Sequence, residues 1–263
     1  MTLFTYLVKS LAGKKFTKNP LIAKSFYYLK SYYKPKSITI NGDVIYLDKF
    51  DSLNLSINPD YEKESMDFIK NYIKKDNIIV DIGANIGYYT LFFAKLVPEG
   101  MVYPFEPDTT NFELLRKNIK ANHYTNIIPD NRALSDTPGV TYLMLNKLNT
   151  GGHRITNEKT ETPVFMMRLD DYIKKVDFIK IDVEGAETMV INGMPNIIKN
   201  NNLKMLVEYN KMGMKNFGVN PMEFIRLLAK DFTIIDVSTG LMVNPNSFST
   251  DKITNLFCYK EQK

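Results

Sequence analysis

The run VDIGANIGYYT, Val80 to Thr90, holds the residues best placed to bind a nucleotide-like ligand: Asp81 ends an apolar stretch and is followed by Gly83-x-Asn85-x-Gly87 and a helical period. Glycines at this spacing permit a tight strand-to-helix turn and let backbone approach a ligand closely. Glu106 closes the next apolar run, where an acid can accept both hydroxyls of a ribose. A dinucleotide dehydrogenase uses such an acid too. Here, however, the spacing is not G-x-G-x-x-G, and an acid two residues before the first glycine can hold the ammonium of an amino acid. The combination points to S-adenosylmethionine rather than a nicotinamide cofactor.

A second group lies in KIDVEGAE, Lys180 to Glu187. By the strand period of two, Lys180 and Asp182 share one side, and Glu184 and Glu187 continue into the following turn and helix. Glu208 ends the next apolar run, so it should lie nearby. Methyl transfer from a sulfonium is an in-line displacement at an activated carbon; the protein aligns the acceptor oxygen and helps remove its proton. Asp182 and Glu184 are the first candidates for that work. Alternatively, Glu184 and Glu187 only pin the next helix through its N-terminal amides, or Asp182, Glu184 and Glu208 together hold a divalent cation. No metal ligand set is assigned. Of the two histidines, His153 is the third catalytic candidate, as a base near neutral pH or an acceptor-binding group. His123 reads as a helix C-terminal cap.

The elements that must carry these residues alternate short apolar strands with helical periods from Asn77 onward, which argues for an α/β fold with a parallel sheet. Strands are expected at Ile78–Gly83, Met101–Pro107, near Asn126–Asn131, Val140–Leu145, Thr162–Leu169, Val176–Gly185, Leu203–Asn210, Phe232–Val237 and Leu256–Tyr259. Helices are expected at Gly87–Leu96, Thr109–Asn122, from Ala186 and from Asn220-Pro221. Residues 146–161 form a long asparagine- and glycine-rich loop. Upstream, Asn41-Gly42 between alternating residues predicts a β-hairpin. Met66, Ile69 and Ile73 predict a helix capped by Asp60.

Composition narrows the class. The 263 residues carry one cysteine, Cys258, which excludes an internal disulfide framework and a cysteine-based zinc site. Mean hydropathy is −0.23, and no apolar run approaches a membrane span or a secretory signal, so a cytoplasmic protein is expected. The net charge of +5 is uneven: residues 1–42 hold eight lysines and no acid, leaving 26 basic against 29 acidic residues elsewhere. This arm, with Leu3, Leu7 and Leu11 on one helical stripe, suits peripheral contact with an anionic membrane or a lipid-linked glycan, or packing on the core.

Five segments, VDIGANIGYYTLFFA, VYPFEPDTTNFELLRKNI, NRALSD, RLDDYI and DFIKIDVEGAETMVINGM, together resemble the FkbM family of class I S-adenosylmethionine-dependent methyltransferases over roughly residues 60–210. The resemblance implies a Rossmann-like fold with a seven-stranded, mostly parallel sheet whose last strand is antiparallel, occupying residues 60–263 behind an N-terminal helical and hairpin extension at 1–59. It implies S-adenosylmethionine as cofactor and O-methylation, commonly of a sugar hydroxyl in a glycan or natural product. Asp81, Gly83, Asn85 and Gly87 match the family's cofactor loop, with Asp182 beside it. Glu106 matches its ribose acid, and Asn131, Arg132 and Ala133 match the segment passing the adenine. The family often has a small polar residue in place of His153, and an apolar residue and a histidine where this chain has Tyr209 and Asn210. Two other functions are compatible with the sequence: an RNA methyltransferase using the basic arm, which the slightly acidic core and the lack of a nucleic-acid module disfavour, and a non-catalytic surface-binding protein on the same fold.

Overall fold

The computed structural model describes residues 28, 31–146, 152–156, 158–200 and 202–261. Most of the basic arm, and the membrane, glycan or core contact expected of it, lies outside the described residues. Asn41 and Gly42 adopt φ 51° and 88° and close the expected hairpin of β1 (Ser37–Ile40) and β2 (Asp43–Tyr46). Helix α1 (Lys63–Ile69) follows and runs into a 3-10 turn. Its N-cap is Glu62, not Asp60: Glu62 takes φ 47°, while the Asp60 carbonyl accepts the Lys63 N–H in a turn before the helix.

The main alternation then unfolds as β3 (Ile78–Ile82), α2 (Tyr88–Leu96), β4 (Met101–Phe105), α3 (Thr109–Ala121), β5 (Ala133–Leu134), β6 (Gly139–Met144), β7 (Arg154–Thr156), β8 (Pro163–Met167), α4 (Leu169–Tyr172), β9 (Phe178–Ile181), α5 (Glu187–Asn192), α6 (Pro195–Asn200), β10 (Lys204–Tyr209), α7 (Lys211–Asn216), α8 (Pro221–Leu228), β11 (Thr233–Asp236), β12 (Leu241–Met242) and β13 (Thr254–Tyr259). His123, at φ 58° just beyond α3, donates its N–H to the Lys120 carbonyl and ends that helix in the left-handed conformation.

Seven strands form one sheet in the order β12-β11-β13-β10-β9-β3-β4. β10, β9, β3 and β4 are parallel, and β13 is antiparallel to both its neighbours. The expected strand near 126–131 reduces to two isolated parallel bridges, Val102 to Ile127 and Phe105 to Asp130, and the short β12 adds an edge strand that the sequence did not announce. Sheet alternation sends Val80, Ile179 and Ile181 into one apolar cluster. Ile79 and Phe178 enter the cluster on the opposite face.

That second cluster also contains Ile40, Ile45 and Leu47 of the hairpin, so the extension is part of the core. One asparagine of α3 and the asparagine that caps its C-terminus complete the join. Asn118 and Asn122 each donate to and accept from the backbone of β2, at Tyr46 and Val44 respectively, replacing rungs that a neighbouring strand would supply. A separate four-stranded sheet, β5-β8-β6-β7, includes part of the expected 146–161 loop, because Arg154–Thr156 pairs with β6.

Candidate active site

The carboxyl ends of β3, β4, β9 and β10 open into a cleft of about 1180 Å³, its mouth included, where open α/β sheets place their ligands. After β3 the backbone turns sharply: the N–H groups of Gly83 and Ala84 both donate to the Phe105 carbonyl at 3.0 Å. Gly83 has φ +80°, and a Cβ there would sit 1.8 Å from the Asp182 carbonyl oxygen. The loops after β3 and β9 therefore touch backbone to backbone, an approach that only glycine permits. Gly87 has φ +91° and faces Leu115.

Asp81 is wholly buried. Its Oδ2 accepts from the Thr90 hydroxyl at 2.6 Å, and Oδ1 is buried without a partner. Burial raises its pKa, opposed by the Lys180 ammonium and the Thr90 hydroxyl. Asn85, at φ 50°, also has a buried, unpartnered side-chain oxygen. Its N–H donates to Glu106 Oε2 at 2.8 Å, and the Asp108 N–H donates to Oε1 at 2.9 Å. Burial pushes Glu106 up to about 8 despite these two donors, a strong response for a carboxyl group.

Of the segment expected beside an adenine, Arg132 and Ala133 line the cleft. Arg132 forms a two-bonded pair with Asp130 and lies over the Tyr172 ring. Asn131 is not on the cleft wall; its amide ties the Glu106 and Pro107 carbonyls together.

At the other end, Lys180 and Asp81 are register partners on adjacent strands. Lys180 is 4% exposed, donates to Asp182 at 3.0 Å, and sits 4.7 Å over the Tyr89 ring. Burial pulls its pKa down, but Asp182, Asp81 and Glu62 outweigh that and hold the ammonium above its ordinary value. Glu184 takes the left-handed φ of 54°, lines the cleft and accepts from the Asn210 amide at 3.3 Å. Burial, then the charges of Asp182 and Glu187, push it up to about 7. Glu187 turns the other way and accepts the Gly185 N–H at 3.0 Å, so of the two glutamates only Glu187 takes the helix-pinning role. Glu208 lines the cleft with Oε2 buried and unpartnered; burial, then Asp182 and Glu184, hold it well above the usual carboxyl range.

His153 also lines the cleft, but its Nδ1 accepts the Asn146 N–H at 3.0 Å. In the neutral ring the proton then sits on Nε2, which presents a donor, not a free base. Burial keeps its pKa below the ordinary value, favouring that neutral form. Among the described residues, no group of three or more histidine, cysteine, aspartate or glutamate side chains is arranged to hold a metal ion. Nor is any helix among them long and apolar enough to cross a membrane.

Sequence reasoning missed the wall opposite the glutamates. Tyr61, Glu62, Tyr88 and Tyr89 line the cleft. Glu62 Oε2 accepts the Tyr89 hydroxyl at 2.7 Å and the Asn255 amide at 3.0 Å, and Tyr61 also bonds it. Paired tyrosines directly after Gly87 were the available signal. Nothing local marked Glu62, whose partner Asn255 is 193 residues away.

The profile of the methyltransferase FkbM domain matches residues 81–233, from the carboxylate that opens the first loop to the start of β11. The chain belongs to the FkbM methyltransferase family. Among curated relatives of this FkbM protein, Methyltransferase 1 of Beauveria bassiana is 25% identical over an alignment of 146 residues that covers 45% of this chain and 59% of that protein, less than two thirds of its length. Hexuronic acid methyltransferase AglP of Haloferax volcanii is 25% identical over 175 residues, 64% of this chain and 68% of that one. Among solved structures, M. jannaschii TYW2 in complex with AdoMet aligns at 16% identity over 86% of each chain, with a TM-score of 0.46.

Proposed function

We propose that this FkbM protein is an S-adenosylmethionine-dependent O-methyltransferase acting on a sugar hydroxyl. The observation that carries the reading is the backbone contact at Gly83, which sets the cofactor loop directly against the loop bearing Asp182 and Glu184.

The residues present fit the cofactor. The unpartnered oxygens of Asp81 and Asn85 are acceptors suited to an amino acid's ammonium, and Gly83 and Ala84 line the cleft beside them. Glu106, oriented by two N–H donors, suits a ribose diol, and Arg132 and Ala133 suit the wall beside a base. When bound, S-adenosylmethionine supplies a methyl group on a positively charged sulfur. The chain's own residues do the rest. Lys180 fixes the Asp182 carboxylate, which accepts the acceptor hydroxyl's hydrogen bond and orients its oxygen. Glu184, poised near 7, takes the proton. His153 donates from Nε2 to the bound molecules.

Calorimetric titration with S-adenosylmethionine tests the cofactor, and methyl transfer by Asp182→Asn tests the chemistry. Micromolar binding, roughly −8 kcal/mol, is expected for the wild type, and a few-fold change at most for the variant, with turnover abolished. Normal transfer by Asp182→Asn would sink the assignment.

A further inference from the structure

The acceptor side of the cleft has a charge pattern of its own. Glu62, Asp182, Glu184 and Glu208 all line it, coming from the N-cap of α1 and from the ends of β9 and β10. The one ammonium among them, Lys180, is already committed: it is bonded to Asp182 and faces the Tyr89 ring. At the far end the only other fixed cation lining the cleft among the described residues, Arg132, is paired with Asp130. One acceptor among the carboxyls is left over, since Glu208 Oε2 is buried with no hydrogen-bond partner. Tyr61 and Tyr88 add two rings packed edge to face, 5.7 Å between centroids.

Aromatic rings beside unsatisfied acceptors suit a molecule with apolar C–H faces and many hydroxyl or ammonium donors. An anion placed there would meet Glu62 and the Lys180-paired Asp182 in a poorly solvated site, and among the described residues no unpaired Lys or Arg lines the cleft to compensate it. Resting on the sugar-hydroxyl reading above, we infer that the acceptor is a neutral or amino-bearing sugar, and that the Glu62 wall excludes uronates and phosphorylated sugars. Glu62 is a specificity residue in this scheme. It and its anchor Asn255 stand outside the stretch shared with the family profile, whereas Asp182, Glu184 and Glu208 lie within it.

The test uses the full chain and three matched probes: the methyl β-glycosides of glucose, glucosamine and glucuronic acid. Binding of S-adenosylmethionine is measured first by calorimetry, then methyl transfer to each glycoside from radiolabelled donor as kcat/KM. The glucoside and glucosaminide should exceed the glucuronide by about tenfold or more. In Glu62→Gln, checked for an unchanged melting temperature, that ratio should shrink; a Glu62→Gln protein that melts early leaves the wild-type comparison to decide. Equal or better use of the glucuronide by the wild type overturns the inference while leaving sugar methylation standing. Donor binding without transfer to any glycoside overturns both readings, and absence of donor binding overturns the cofactor assignment on which they rest.

Discussion

Gly83 and Gly218 share the left-handed φ of +80° in opposite surroundings: a Cβ on Gly83 meets the Asp182 carbonyl oxygen at 1.8 Å, whereas nothing lies within 4 Å of one on Gly218. Replacing each by alanine therefore separates the cost of the conformation from the cost of the contact. Gly218→Ala incurs only the left-handed penalty, about 1 kcal/mol. Gly83→Ala adds a clash between two backbones, neither able to swing aside like a side chain. Restoring ordinary contact requires the loops to part by roughly 1.5 Å. That movement strains the bonds from Asp182 N–H to the Ile82 carbonyl and from Gly83 and Ala84 to the Phe105 carbonyl. Losing one or two of these, at about 1 kcal/mol each, with residual overpacking brings the total to about 3–5 kcal/mol. For a chain of this size that is a melting-temperature loss of about 8–15 °C, against about 2–4 °C for Gly218→Ala. Calorimetric melting measures both, and titration with S-adenosylhomocysteine should show that Gly83→Ala has lost binding while Gly218→Ala has kept it. If the two variants melt within about 2 °C of one another and bind alike, the loops are not in backbone contact and the geometry argued for the site is wrong.

Two further perturbations probe the cofactor end and the extension. Glu106 sits near 8 against an ordinary 4.5, so the folded ligand-free protein binds a proton there that the unfolded chain releases. Its folding stability should fall as pH rises from about 4.5 to 8; Glu106→Gln should flatten that slope in melts at pH 5 and pH 8 while weakening S-adenosylmethionine in calorimetry, and an unchanged slope would refute the buried-carboxyl account. Asn118 is wholly buried and bonds the Tyr46 backbone twice and the Ile86 carbonyl once, so Asn118→Ala should cost about 2–4 kcal/mol in denaturant unfolding, and a loss below about 1 kcal/mol would mean that the hairpin is held by its apolar contacts alone.

What could be read from the sequence was what is encoded locally. The Asn41-Gly42 turn, the Gly83 to Gly87 turn and the buried strands β3 and β9, apolar but for Asp81 and Lys180, each declare themselves within a few residues, because backbone conformation and two-sided burial leave marks on residue type. Helix starts were harder. Asp60 has the right chemistry for an N-cap, yet the chain spends it in a preceding turn and starts α1 at Glu62, where a tertiary network outweighs capping preference. Likewise the spacing of Glu184 and Glu187 left their roles interchangeable. Only the left-handed turn at Glu184 separates them, sending one into the cleft and the other back onto its own backbone. Asn131 has the right position in its motif, but packing directs its amide to the Glu106 and Pro107 carbonyls. Residues 126–131 fall where the strand-helix alternation calls for a strand, yet they bridge to β4 at only two points.

The bond between Asn255 and Glu62 ties completion of the cleft to the order of synthesis. Asn255 lies on β13 and reaches both Glu62 and Ser65 at 3.0 Å, joining the entry of the first described helix to the last strand. β13 also fills the sheet between β10 and β11. A nascent chain that has emerged only as far as β12 already contains every residue of the cofactor loop, but it lacks the amide that anchors Glu62 and the strand that flanks Glu208. Contacts of such long sequence separation form late. The turn at Gly83 to Gly87 can thus be assembled before Glu62 gains its anchor, and a growing polypeptide completes that wall of the cleft only when β13 docks.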